Sequence, residues 1–185
     1  HRLLRLHWQE AGLPESFQVL DADDQLRMVK RIATSLELEE GRFPPRQIVW
    51  WINAQKDEGR RPKHIQVPGG DFFTKTMLRV YAEYEIRCQR AGLVAFAEIL
   101  LRAHELWLEH PPLLHHYQQR FGQILVDEFQ DTNTIQYAFI RVLAGDSGQV
   151  FVVGDDDQAI YGWRGAKVEN VQRFLRDYPG AVTLK

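Results

Sequence analysis

The chain has 185 residues, 44% of them hydrophobic, which is enough for a packed core in one domain or in parts of two. No apolar run approaches the ~20 residues of a membrane span, and no basic stretch leads into an apolar segment as in a signal peptide. A net charge of −2 gives no general attraction for nucleic acid, and a single cysteine, Cys88, excludes an internal disulfide and fits a reducing cytoplasm.

Residues 1–11 carry Leu3, Leu4, Leu6 and Trp8 among Arg2, Arg5 and His7, an amphipathic helix that Gly12 and Pro14 end. Asp21 is a good N-cap for a second helix, with Asp23 and Asp24 in its first turn and Leu26, Met28, Val29, Ile32, Ala33 and Leu36 as its buried stripe. Glu37, Glu39 and Glu40 read as its solvated end. Pro44-Pro45 opens the next helix, which runs to about Lys56, and Trp50 and Trp51 on it read as core. The segment Gln55–His64 is the densest basic cluster. It is either a solvated loop or a loop that contacts phosphates, with Lys56, Arg60, Arg61 and Lys63 as the candidate contacts.

A long helix follows over 72–90, closed by Ala91-Gly92, then one from Phe96 to Leu108 and a short one opened by Pro111-Pro112. His110, His115 and His116 have no Cys or acid at ligand spacing and read as structural. Everything up to residue 118 thus reads as helical, and nothing there reads as catalytic.

The pattern changes at Phe121. Gln123–Val126 is a short apolar run ending in Asp127-Glu128-Phe129-Gln130-Asp131-Thr132-Asn133. A helical stretch follows over Thr134–Ala144. Val150–Val153 is a second apolar run, ending in Gly154-Asp155-Asp156-Asp157-Gln158-Ala159-Ile160-Tyr161-Gly162-Trp163-Arg164-Gly165. Unalternating runs predict strands buried on both faces, hence a parallel βαβ unit with its polar residues at the carboxyl edge. Val168, Val171, Phe174 and Leu175 predict a further helix, and Ala181–Lys185 the start of a third strand. An apolar strand ending in Asp-Glu is the Walker B arrangement: Asp127 would hold Mg²⁺ beside nucleotide phosphates, and Glu128 would orient and deprotonate the attacking water. Gln158 could sense a γ-phosphate a few residues from rings able to stack bases, which suggests ATP chemistry coupled to a nucleic-acid strand.

These two segments resemble motifs II and III of the UvrD/Rep/PcrA helicases of superfamily one, and the likeness runs the length of the chain. The resemblance implies an α/β fold with a large all-α insertion: a partial RecA-like P-loop domain plus a helical subdomain like 1B. Residues 1–14 would close the first RecA-like segment, 15–118 form the 1B-like subdomain, and 119–185 return to the RecA-like domain. It implies ATP and Mg²⁺ as cofactors, with Asp127, Glu128 and Gln158 at the nucleotide. Tyr161, Trp163 and Arg164 would line the path of single-stranded DNA. The partners implied are single-stranded DNA, its junctions with duplex, and repair proteins, in a cytoplasmic enzyme that moves 3′ to 5′ in DNA repair.

Two departures stand out. No Gly-x-x-x-x-Gly-Lys-Ser/Thr occurs in the sequence, so the phosphate cradle is missing. By the resemblance it lies upstream of His1, which makes the chain an internal piece expected to be inactive alone. Ala95 stands where such helicases commonly have an acid, leaving the helix at Phe96 without a good N-cap. Two other readings remain open here: the helicase subunit of a recombination helicase–nuclease, and a non-catalytic module that docks DNA or protein.

Overall fold

The computed structural model describes residues 1–146, 148–155 and 169–184, apart from the side chain of Pro68. The chain divides into two units, His1–Leu106 and Trp107–Lys185.

In the first unit, α1 (Arg2–Leu6) is shorter than its apolar pattern predicts, and turns carry the chain on to Gly12. β1 (Gln18–Leu20) leads into α2 (Ala22–Ser35), which Asp21 caps: its Oδ1 accepts the Asp24 N–H at 2.7 Å. α3 (Pro45–Asp57) starts at the proline pair, where a missing N–H costs nothing, and α4 (Phe72–Ala91) ends at Gly92 in the left-handed conformation. β2 (Leu93–Ala95) then runs directly into α5 (Phe96–Glu109).

The core of this unit lies among α2, α3 and α4: Val29, Ile32, Ile48, Ile52, Met77, Val80, Tyr81 and Tyr84 are almost wholly buried. At ~1.5–3 kcal/mol for each fully buried large apolar side chain, this packing outweighs the ~1 kcal/mol of a single cap. Trp51 packs edge-on against Tyr81 at 6.2 Å, as a core residue should. Trp50 does not: it is 63% exposed, because the buried line of α3 runs through Ile48, Ile52 and Lys56 and leaves position 50 on the opposite side.

The first 118 residues are not wholly helical. β1 and β2 pair in parallel, with Gln18 opposite Leu93, Val19 opposite Val94 and Leu20 opposite Ala95. Three residues per strand are too few for periodicity to register. The pairing also changes the reading of Ala95, which is not an exposed helix start but a strand residue 3% exposed within the core. A carboxylate there would be desolvated, which opposes any gain from capping α5.

In the second unit, α6 (Pro111–Arg120), β3 (Gln123–Val126), α7 (Thr134–Ala144), β4 (Gln149–Val152) and α8 (Glu169–Asp177) follow in order. β3 and β4 pair in parallel, from Gln123 opposite Gln149 to Val126 opposite Val152, so the predicted βαβ unit is present. Asn133 and Gln136 bond each other's backbone N–H at 2.9 Å and start α7 with a capping box.

Burial of the two strands differs from the expectation. Ile124, Val126, Val150 and Val152 are half-buried, whereas Leu125 is 72% and Phe151 55% exposed. One face packs on Phe129, Tyr137 and Phe174; the other face is uncovered among the described residues. The expected third strand does not form among the described residues either. Residues 181–184 have no strand partner, and Val182 and Leu184 are exposed.

Candidate active site

The ladder between β3 and β4 continues past both strands. Val153 N–H donates to the Val126 carbonyl at 2.8 Å, and Phe129 N–H donates to the Val153 carbonyl at 2.9 Å. Asp127 and Glu128 are the two residues between these bonds, and both side chains are exposed at the carboxyl end of the strand. Asp127 Oδ1 accepts the Glu128 N–H at 2.9 Å. Glu128 itself has φ 50° and ψ 43°, a left-handed conformation that costs an L-residue roughly 1–2 kcal/mol. Such a residue persists only where its surroundings over-determine it.

Those surroundings are specific. Gln130 is buried, its Nε2 donates to Glu128 Oε2 at 2.7 Å, and its Oε1 accepts the Asp155 N–H at 3.1 Å. Gly154 makes the approach possible: a Cβ there would lie 2.6 Å from Gln130 Oε1 and 3.4 Å from the Phe129 nitrogen. Beneath the site, Asn170 of α8 is buried and donates to the Thr132 carbonyl at 3.0 Å and to its hydroxyl at 3.2 Å. The segment 127–133 is therefore tied to β4 on one side and to α8 on the other.

A carboxylate oxygen is the hard donor Mg²⁺ takes, and an exposed Asp127 suits that role. Among the described residues, no group of three or more metal-ligating side chains gathers anywhere. Mg²⁺ commonly binds through one or two carboxylates together with substrate phosphates, so a single acid is a sufficient protein contribution. Gln158, Tyr161, Trp163 and Arg164 lie outside the described residues.

The basic cluster of the first unit divides. Arg60 and Lys63 are exposed. Lys56 is 1% exposed and Arg61 9%, so neither is presented to a phosphate as the sequence suggests. Lys56 Nζ bonds Glu85 at 2.6 Å and also Glu98; Arg61 bonds Glu98 at 2.7 and 2.8 Å, Glu105 at 2.8 Å, and Glu85. Arg102 adds a bond to Glu98 at 2.9 Å. Three cations meet three carboxylates, all drawn from positions 24–44 residues apart or from neighbouring helical turns. Burial opposes the charge on Glu98, yet Lys56, Arg61 and Arg102 hold its carboxyl well below the usual range. Arg61 is likewise held charged against burial by Glu105, Glu98 and Glu85.

Sequence reasoning missed three residues here: Gln130, Gly154 and Asn170. Gln130 and Gly154 sit inside the motif segments, but their roles come from a close approach between β3 and β4 that no local pattern reveals.

The sequence profile of the UvrD/REP helicase N-terminal domain matches residues 1–179. The chain is 62% identical to DNA helicase II of Escherichia coli (strain K12) over 185 residues, all of this chain and 26% of that protein. It is 54% identical to DNA helicase II of Haemophilus influenzae over 178 residues, 96% of the chain and 24% of the relative. With the ATP-dependent DNA helicase PcrA of Leuconostoc citreum it shares 36% over 183 residues, 99% of the chain and 24% of that protein. The chain thus spans about a quarter of the length of these relatives. A matched profile over residues 1–179, on a parallel βαβ unit with Asp127-Glu128 at its carboxyl edge, makes this chain a member of the UvrD/REP helicase family, within its N-terminal domain.

Proposed function

We propose that the chain is the hydrolytic part of an ATP-dependent DNA helicase that moves 3′ to 5′ on single-stranded DNA and unwinds duplex during repair in the cytoplasm. The observation that carries this reading is the pair Asp127–Glu128, exposed at the strand end while the flanking backbone bonds Val153 and the Gln130 side chain accepts from the Asp155 N–H. Residues 119–185 belong to the RecA-like domain, and 15–118 to an inserted helical subdomain like 1B.

Asp127 would hold Mg²⁺, which when bound neutralises charge on the nucleotide phosphates. Glu128 takes the proton of the attacking water, and Gln158 contacts the γ-phosphate. Tyr161, Trp163 and Arg164 line the DNA path. Arg60 and Lys63, the exposed half of the basic cluster, contact the DNA backbone, while Lys56 and Arg61 act inside the fold. Phosphoryl transfer also needs a backbone cradle and lysine at the β- and γ-phosphates, so the 185-residue chain alone is expected to hydrolyse no ATP.

The test is Glu128→Gln in the full-length protein. The amide keeps a hydrogen bond to the water but cannot accept its proton, a loss on the order of 10²–10⁴ in hydrolysis with nucleotide binding retained. Hydrolysis at the unmutated rate would remove Glu128 from the role of base.

A further inference from the structure

We infer that Gln130 is the positioning residue for Glu128, holding its carboxylate in one orientation and tying that orientation to the backbone where β4 ends. The inference rests on the reading of Glu128 as the base. The amide of Gln130 has only one consistent arrangement. The Asp155 N–H can only donate, so it fixes Oε1, and Nε2 must then face Glu128 Oε2, at 2.7 Å. Gln130 is 1% exposed, so water does not replace either bond readily, and Gly154 closes the space beside Oε1. Glu128 is an exposed side chain on a left-handed backbone. Among the described residues, the Gln130 amide is the side-chain partner that holds the Glu128 carboxylate in one rotamer.

A base must lie within hydrogen-bond reach of the proton it takes, and misplacement by 1 Å can cost about 100-fold. Gln130 supplies that placement without touching substrate. Because its other end accepts from Asp155, a shift of the chain leaving β4 moves the amide, and the amide moves the base. The segment from Asp155 onward runs in sequence to Gln158 and the aromatic residues, so a single buried amide connects the chain on that side to the hydrolytic carboxylate.

The experiment is Gln130→Glu in the full-length protein, measured beside Glu128→Gln and the double variant. Gln130→Glu keeps the size and the acceptor for the Asp155 N–H but sets a second carboxyl against Glu128, so the two acids repel or share one proton and Glu128 loses both its neutral donor and its free base form. The expected result is a fall in kcat of about 10–100-fold, with the nucleotide Kd unchanged within about twofold. In the Glu128→Gln background the same substitution should have no further effect on single-turnover hydrolysis, because there is no longer a base to position. Gln130→Ala, which loses both bonds without adding a charge, should show the same fall of about 10–100-fold in kcat, with melting temperature measured on each to separate folding from positioning. A Gln130→Glu enzyme with unmutated kcat, or losses that multiply independently in the double variant, would overturn the inference. If Glu128→Gln itself hydrolyses ATP at the unmutated rate, the fault lies with the reading of the base and not with Gln130.

Discussion

Neutralising Glu98 tests the buried ion network most sharply. In Glu98→Gln the shape is preserved, but Lys56 and Arg61 are left with Glu85 and Glu105, and Arg102 loses its carboxylate partner. The charge left without a carboxylate is that of Arg102, half-buried with its side chain 21% exposed, whereas breaking a fully buried pair costs about 3–5 kcal/mol. The lower end applies here, since Lys56 keeps Glu85 at 2.6 Å and Arg61 keeps Glu105 at 2.8 Å. For a domain of roughly 100 residues, ~3 kcal/mol corresponds to a fall in Tm of about 12–24 °C. Circular dichroism melting of the 185-residue chain measures it. The acid limb gives a second readout. The folded Glu98 carboxyl titrates below the unfolded value of about 4.3, so its stabilisation is present above that pH and is lost as pH falls through it. The unmutated chain should therefore lose Tm on acidification below about pH 4 more steeply than Glu98→Gln does. A Tm change under about 4 °C, with parallel acid limbs, would mean that the network is solvated and contributes little.

Gly92→Ala should destabilise the first unit by more than the roughly 1–2 kcal/mol of a left-handed L-residue, because the added Cβ would also lie 2.7 Å from Pro14 Cγ; chemical denaturation checks it, and an unchanged midpoint refutes it. Trp163→Ala in the full-length protein should weaken single-stranded DNA binding by roughly 5–150-fold, the equivalent of ~1–3 kcal/mol for one stacked base. Fluorescence anisotropy with a labelled oligonucleotide, alongside Tm, distinguishes this from a core residue: lowered Tm with unaltered affinity would defeat the stacking role.

The helices were legible where a local signal fixes an end. Asp21, the Pro44-Pro45 and Pro111-Pro112 pairs, Gly92 and the Asn133–Gln136 box each bond or constrain backbone within a few residues, so the sequence carries the whole cause. The strand–helix–strand order around Asp127 was legible for the same reason. What the sequence concealed depends on partners far along the chain. Lys56 and Arg61 look like surface cations until Glu85, Glu98 and Glu105 are brought to them by α4 and α5. An apolar run such as Gln123–Val126 shows that a strand is buried somewhere but not by what; Leu125 and Phe151 are exposed because nothing among the described residues packs on that face. The three-residue strands at Gln18 and Leu93 exist only through each other.

The most direct test of the function is the steady-state ATP hydrolysis rate of the full-length protein with and without single-stranded DNA, for the unmutated enzyme and Glu128→Gln. DNA is expected to raise the unmutated rate, and Glu128→Gln to hydrolyse little under either condition while still binding nucleotide. A rate indifferent to DNA, or a Glu128→Gln enzyme that DNA stimulates as fully as the unmutated one, would contradict the assignment of Asp127-Glu128 as the hydrolytic centre of a DNA motor.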